Sequence, residues 1–106
     1  QKMELEKEPG LTIAPCQLRP ESRGSIHLRS ADPAEYPAIL PNYLADPIDQ
    51  QVVIAAMKWG RRIAGTEPLA GYIDHEMNPG PDVQTDEQLL AFAREMGTTI
   101  YHPVGT

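Results

Sequence analysis

The stretch DPIDQQVVIAAMKWGRRIAG, residues 46–65, carries the reading on which the fold turns. Asp46 stands where a helix N-cap belongs, Pro47 at the first helical position, and Asp49 adds negative charge to the first turn. Val52, Ala56, Trp59 and Ile63 recur at helical spacing, and Val53 and Met57 widen the apolar stripe. Arg61 and Arg62 suit the negative end of the helix dipole, and Gly65 is a natural C′ residue. The spacing predicts one amphipathic helix from about Pro47 to Ala64.

Downstream, Thr85-x-x-Gln88 is a capping box that opens a second helix, Asp86 to Met96. Its expected buried residues are Leu89, Leu90, Phe92, Ala93 and Met96, and Gly97 stops it. Between the helices, Ala70 to Met77 has the composition of a short strand or a helical turn, and Asn78-Pro79-Gly80-Pro81 reads as loop. Thr98 to Tyr101 is β-favouring and leads into His102.

Upstream, Leu11 to Leu18 has strand composition, demoted by Pro15 to an edge or a strand end. Ser25 to Ser30 alternates Ile26 and Leu28 against Ser25, His27 and Arg29, which predicts a strand antiparallel to the first. Residues 31–47 hold Pro33, Pro37, Pro41 and Pro47, so no long helix or central strand fits there. Tyr36, Ile39, Leu40, Tyr43 and Leu44 anchor this connector. The predicted class is α+β: a small antiparallel sheet packed by two main helices, over residues 10–106, after a charged N-terminal arm at residues 1–9.

Composition narrows the function. Leu, Ile, Val and Phe make up 22 of 106 residues, against 19 Gly and Pro, so the core inventory suits a domain that is marginal by itself. The first residue is Gln1 and the last Thr106, which reads as a piece of a longer protein, truncated after Thr106. Residues 1–65 carry eight acids and eight bases, whereas residues 66–106 carry seven acids and one base, so the second section holds the whole net charge of −6. A solvated acidic face accounts for this, and attraction of a cationic ligand or a basic neighbour is the functional alternative. Nucleic acid wants the opposite sign and is not an expected partner. Neither a bilayer-spanning apolar run nor a leader pattern is present, and the expected location is cytoplasmic.

Most candidate chemistry is weak. There is no G-x-G-x-x-G and no G-x-x-x-x-G-K-[ST], so this chain holds no phosphate cradle. His27, His75 and His102 lie far apart, and no metal site is expected. His75 and Glu76 read as a surface pair, and Arg19, Glu21 and Arg23 as a surface ion-pair cluster. Cys16 is the lone cysteine; a thiolate–imidazole pair with His102 is one reading, and a buried, inert thiol the simpler one. His102 stands apart because it follows a β-favouring run and precedes Pro103, whose ring disfavours helical geometry before it. Gly105 then permits a tight backbone path. An imidazole on an ordered loop is a suitable general base for a hydroxyl proton.

Two stretches resemble the glucose–methanol–choline (GMC) family of FAD-dependent oxidoreductases, closest to its choline dehydrogenase branch. The first is Leu18-Arg19-Pro20-Glu21-Ser22-Arg23-Gly24-Ser25, followed by Ser30-Ala31-Asp32-Pro33 and Pro41-Asn42-Tyr43-Leu44. The second is Gly97-Thr98-Thr99-Ile100-Tyr101-His102-Pro103-Val104-Gly105-Thr106. The resemblance implies the C-terminal substrate-binding region of a larger flavoenzyme, an antiparallel sheet covered by helices and lying over the flavin ring. It implies that His102 is the catalytic acid/base, that Ile100 and Tyr101 line the substrate and flavin cavity, and that Pro103, Val104, Gly105 and Thr106 approach the cofactor. FAD would be bound by a missing N-terminal part, and a second catalytic residue would lie beyond Thr106, so this piece alone is expected to be inactive. The implied substrate is a small primary alcohol, choline among them, oxidised to an aldehyde. A quinone acceptor would bring the parent to the periphery of the inner membrane. Two rivals stand beside this reading: an acidic protein-interaction module without catalysis, and a thiol hydrolase using Cys16 and His102.

Overall fold

The computed structural model describes residues 7–105. Residues 1–6 of the expected N-terminal arm, and Thr106, lie outside the described residues; residues 7–9 are exposed and irregular. The elements in chain order are β1 (Ser25–His27), β2 (Ala38–Leu40), α1 (Pro47–Ala64), a 3₁₀ turn (Leu69–Tyr72) and α2 (Asp86–Met96). The class is α+β, with two helices beside a two-stranded antiparallel sheet.

Both helices start for the reasons their sequences give. The Asp46 side chain accepts from the Ile48 N–H at 2.8 Å while Pro47 spares a donor that the first turn could not use. Thr85 Oγ1 accepts from the Gln88 N–H, and the Gln88 side chain accepts from the Thr85 N–H in return, so the capping box is complete. The C-terminal ends differ from expectation. Gly65 has φ −82° and Gly97 φ −60°, so neither uses the left-handed cap that glycine permits. Gly97 is still confined, because a Cβ there would overlap the Ala93 carbonyl oxygen.

The sheet is not the one expected. Leu11 to Leu18 forms no strand; β1 pairs instead with β2, in the register Ser25 with Leu40, Ile26 with Ile39 and His27 with Ala38. Pro37 and Pro41 bracket β2, which limits the ribbon to three residues but leaves their N–H groups free to form it. Residues 11–17 instead run irregularly across α1: a Cβ on Gly60 would lie 3.5 Å from the Ile13 side chain, and Gln17 bonds to Asp49. Thr98 to Tyr101 also forms no strand.

The apolar face of α1 is the second correction. Val52, Trp59 and Ile63 are 38%, 58% and 49% exposed, and the Arg62 guanidinium stacks 4.9 Å above the Trp59 ring. Val53, Met57, Gly60, Arg61 and Ala64 face the rest of the chain. The run from Val52 to Met57 is apolar all round, so periodicity alone could not choose the inward side. Similarly, Leu89 is buried on α2 but Met96 is exposed. Among the described residues, Leu89 is the only buried large hydrophobe. The radius of gyration is 17.2 Å, against about 13 Å for a compact domain of this length. The fold therefore presents apolar surfaces on both sides of α1 rather than closing on one centre.

Candidate functional site

Residues 99–105 leave α2 as an irregular loop and return to the segment 20–24. Tyr101 has φ +65°, an uncommon conformation for a residue with a side chain, and its N–H donates to Thr99 Oγ1 at 3.0 Å. His102 is exposed and makes no hydrogen bond among the described residues. Ile100 and Val104 are 58% and 57% exposed, and Tyr101 is more exposed still.

Ile100, His102, Pro103 and Val104 lie on the lining of an open groove of about 1810 Å³, to which α1 contributes Met57 and Arg61. Closed ligand sites have roughly 300–1,000 Å³, so this depression is larger and more open than a finished small-molecule site. The structure thus places Ile100, His102, Pro103 and Val104 on this lining, with Tyr101 and Gly105 outside it. Thr106 lies outside the described residues.

Gly105 explains the loop's path. Its φ is +91°, and a Cβ there would stand 2.8 Å from the Ser22 carbonyl oxygen. Its own carbonyl accepts from the Gly24 N–H at 2.8 Å. The close approach that glycine allows is therefore met by the Ser22–Gly24 backbone. Gly24 in turn lies so near β2 that a Cβ would overlap the Leu40 oxygen, and the Asn42 amide donates to the Arg23 carbonyl.

Behind this segment stands a carboxylate that the sequence reading assigned only to the helix dipole. Asp49, in the first turn of α1, is 1% exposed. Its Oδ1 accepts from Gln17 Nε2 at 2.7 Å and from the Glu21 N–H at 2.8 Å, and its Oδ2 accepts from the Ser22 N–H at 2.7 Å. The Ser22 hydroxyl accepts from the Asp46 N–H at 3.0 Å, tying the same segment to the helix cap. Burial opposes ionisation of Asp49, but the bonds from Ser22, Glu21 and Gln17 outweigh it and hold the carboxyl well below the usual carboxylate range. A carboxyl lowered by folding stabilises the fold fully above its unfolded value, about 3.9, and that contribution fades as pH falls further. The clamp is intact at neutral pH.

The remaining candidates separate. The expected Arg19, Glu21 and Arg23 cluster does not form; Arg23 donates to the Pro20 and Ser22 carbonyls instead. His75 pairs with Asp74 rather than Glu76, and Glu76 takes a bidentate bond from Arg61. Cys16 is exposed rather than buried, and its thiol donates to the Gln17 carbonyl, with no bond to His102 among the described residues. No group of three or more His, Cys, Asp or Glu side chains gathers into an ion-binding cluster among the described residues. No helix among them is long and apolar enough to cross a membrane.

Lys58 and Arg61 on α1 pair with Asp86 and Glu76, so the acidic section is partly neutralised within the chain. An interaction module relying on that charge would have less of it to offer than composition implies.

A family described as GMC oxidoreductase, through its C-terminal region, matches residues 20–106. The chain is 46% identical over 97 residues to an alcohol dehydrogenase [acceptor] of Pseudomonas putida, covering 92% of this chain. It is 38% identical over 101 residues to a choline oxidase of Arthrobacter globiformis, and 42% identical over 97 residues to an oxygen-dependent choline dehydrogenase of Serratia proteamaculans. These alignments cover 93% and 92% of this chain, which spans 18% of the length of each of the three relatives.

Proposed function

Since the chain belongs to the GMC oxidoreductase family, we propose that it is the substrate-side wall of an FAD-dependent alcohol oxidoreductase, with His102 as the catalytic acid/base. The observation that carries this reading is the exposed imidazole of His102, free of hydrogen bonds among the described residues, on a groove shared with Ile100, Pro103 and Val104. A base must meet a substrate hydroxyl directly, so an unengaged ring nitrogen on an open face suits the task.

The residues present fit one face of such a site and not the cofactor's phosphates, because no glycine-rich cradle occurs in the chain. FAD, held by the rest of the protein, supplies the hydride acceptor. His102 takes the proton from the alcohol hydroxyl as hydride leaves the carbinol carbon, so the carbonyl forms without a stranded charge. Ile100 and Val104, two residues on either side of His102, offer apolar surface beside the imidazole that would exclude water once the rest of the enzyme covers it. Pro103 fixes the backbone after His102 and limits the directions its ring can take.

Choline is the preferred substrate class. The relatives' names include choline oxidase and choline dehydrogenase, which points to a cationic alcohol. In the full-length protein, choline is expected to reduce the flavin about tenfold more efficiently, as kcat/KM, than its uncharged carbon isostere, an advantage within the range of cation recognition. Equal efficiencies would show that charge plays no part in substrate choice. The oxidised partner, oxygen or a membrane quinone, is read in the same experiment from which acceptor sustains turnover.

A further inference from the structure

We infer that Asp49 is a positioning residue for His102, acting through the Ser22–Gly24 backbone and the Gly105 carbonyl. The inference rests on the assignment of His102 as acid/base.

The linkage is continuous and short. Asp49 sits on α1, the longest element of the chain, and its two oxygens take the backbone donors of Glu21 and Ser22 together with the Gln17 amide. Two residues on, the Gly24 N–H holds the Gly105 carbonyl at 2.8 Å. Gly105 is three residues from His102, has φ +91°, and leaves no room for a Cβ, which would stand 2.8 Å from the Ser22 oxygen. Leu40 and Pro41 block Gly24 from the other side, so the segment has little freedom to move unless Asp49 lets go. The 99–105 loop has no regular secondary structure to hold it, so this backbone contact and the local Tyr101 turn set its path. A wholly buried carboxylate satisfied by three donors is costly to disturb, which gives the anchor its stiffness.

Asparagine at this position keeps the shape but presents an NH₂ where one of the oxygens accepted, so it faces an N–H with an N–H. The test uses the full-length, flavin-loaded enzyme and anaerobic stopped-flow reduction by alcohol, normalised to bound flavin. Asp49→Asn is expected to lower the limiting rate about tenfold with KM changed less than twofold. In a His102→Ala background the same substitution is expected to change the rate less than twofold, because the group it positions is gone.

A lowered melting temperature with a normal reduction rate would overturn the inference and leave Asp49 a stability residue. Equal slowing in both backgrounds would also overturn it, since the effect would not pass through His102. If His102→Ala alone reduces normally, the acid/base assignment fails and this inference with it. A slow His102→Ala beside a normal Asp49→Asn removes this inference alone. Should the Asp49→Asn chain not retain flavin, Gln17→Ala, which removes one donor and leaves both backbone bonds, decides by the same cycle. A threefold slowing that vanishes in the His102→Ala background supports the linkage, and its absence overturns it.

Discussion

His102→Ala in the full-length flavoenzyme is expected to slow flavin reduction by alcohol at least about a hundredfold, the low end for removal of a general base. The substitution is a clean one. His102 is exposed and makes no hydrogen bond among the described residues, so truncation strands no buried partner and costs roughly 0.5 kcal/mol or less of stability. Flavin content and melting temperature should therefore stay close to the unmodified protein while the rate collapses. Anaerobic stopped-flow reduction measures this directly. A trace within a few-fold of normal would remove His102 from proton transfer and leave positioning and the flavin to account for the rate.

The second large effect is structural. Gly24→Ala is expected to destabilise the protein by about 3 kcal/mol, the upper part of the range for overpacking. A Cβ at Gly24 would overlap the Leu40 oxygen and stand 2.7 Å from the Pro41 oxygen, both backbone atoms that cannot rotate away. Relief requires β1 to separate from β2, or the Ser22–Gly24 segment to retreat from Asp49 and Gly105. Either movement breaks bonds that hold the groove. Urea denaturation of the full-length protein followed by flavin release would report the change as a lowered midpoint. An unchanged midpoint would mean that the contact between β2 and this segment is looser than described.

The helices were legible because their signals are local. Asp46 and Pro47, then Thr85 and Gln88, lie within a turn of the termini they set, and both helices occupy the spans expected. The sheet was not, because strand pairing is a choice among partners. Ile26 and Leu28 alternate convincingly, yet nothing local distinguishes residues 11–18 from the three residues Ala38–Leu40 as the neighbour. The inward face of α1 was hidden for a related reason, since apolar residues run around the helix from Val52 to Met57.

At the site, the YHPVGT ending and its resemblance to a known family singled out His102. The geometry adds an exposed, unengaged imidazole on a shared groove. Asp49 escaped notice because an acid in a first turn is usually explained by the dipole. Its real partners lie 27 to 32 residues away along the chain. The available hint was the S-R-G stretch itself: a serine and a glycine flanking an arginine are small enough to be pinned closely by something else. Gly105 carried a similar clue, and its partner proved to be the Ser22–Gly24 backbone.

The most direct test is to purify the intact polypeptide gently and add choline and other small primary alcohols without oxygen. A yellow protein whose bound flavin bleaches on mixing is the result expected of an alcohol-oxidising flavoenzyme with this chain as its substrate-side wall. A colourless protein, or a flavin that stays oxidised with every alcohol offered, would contradict it.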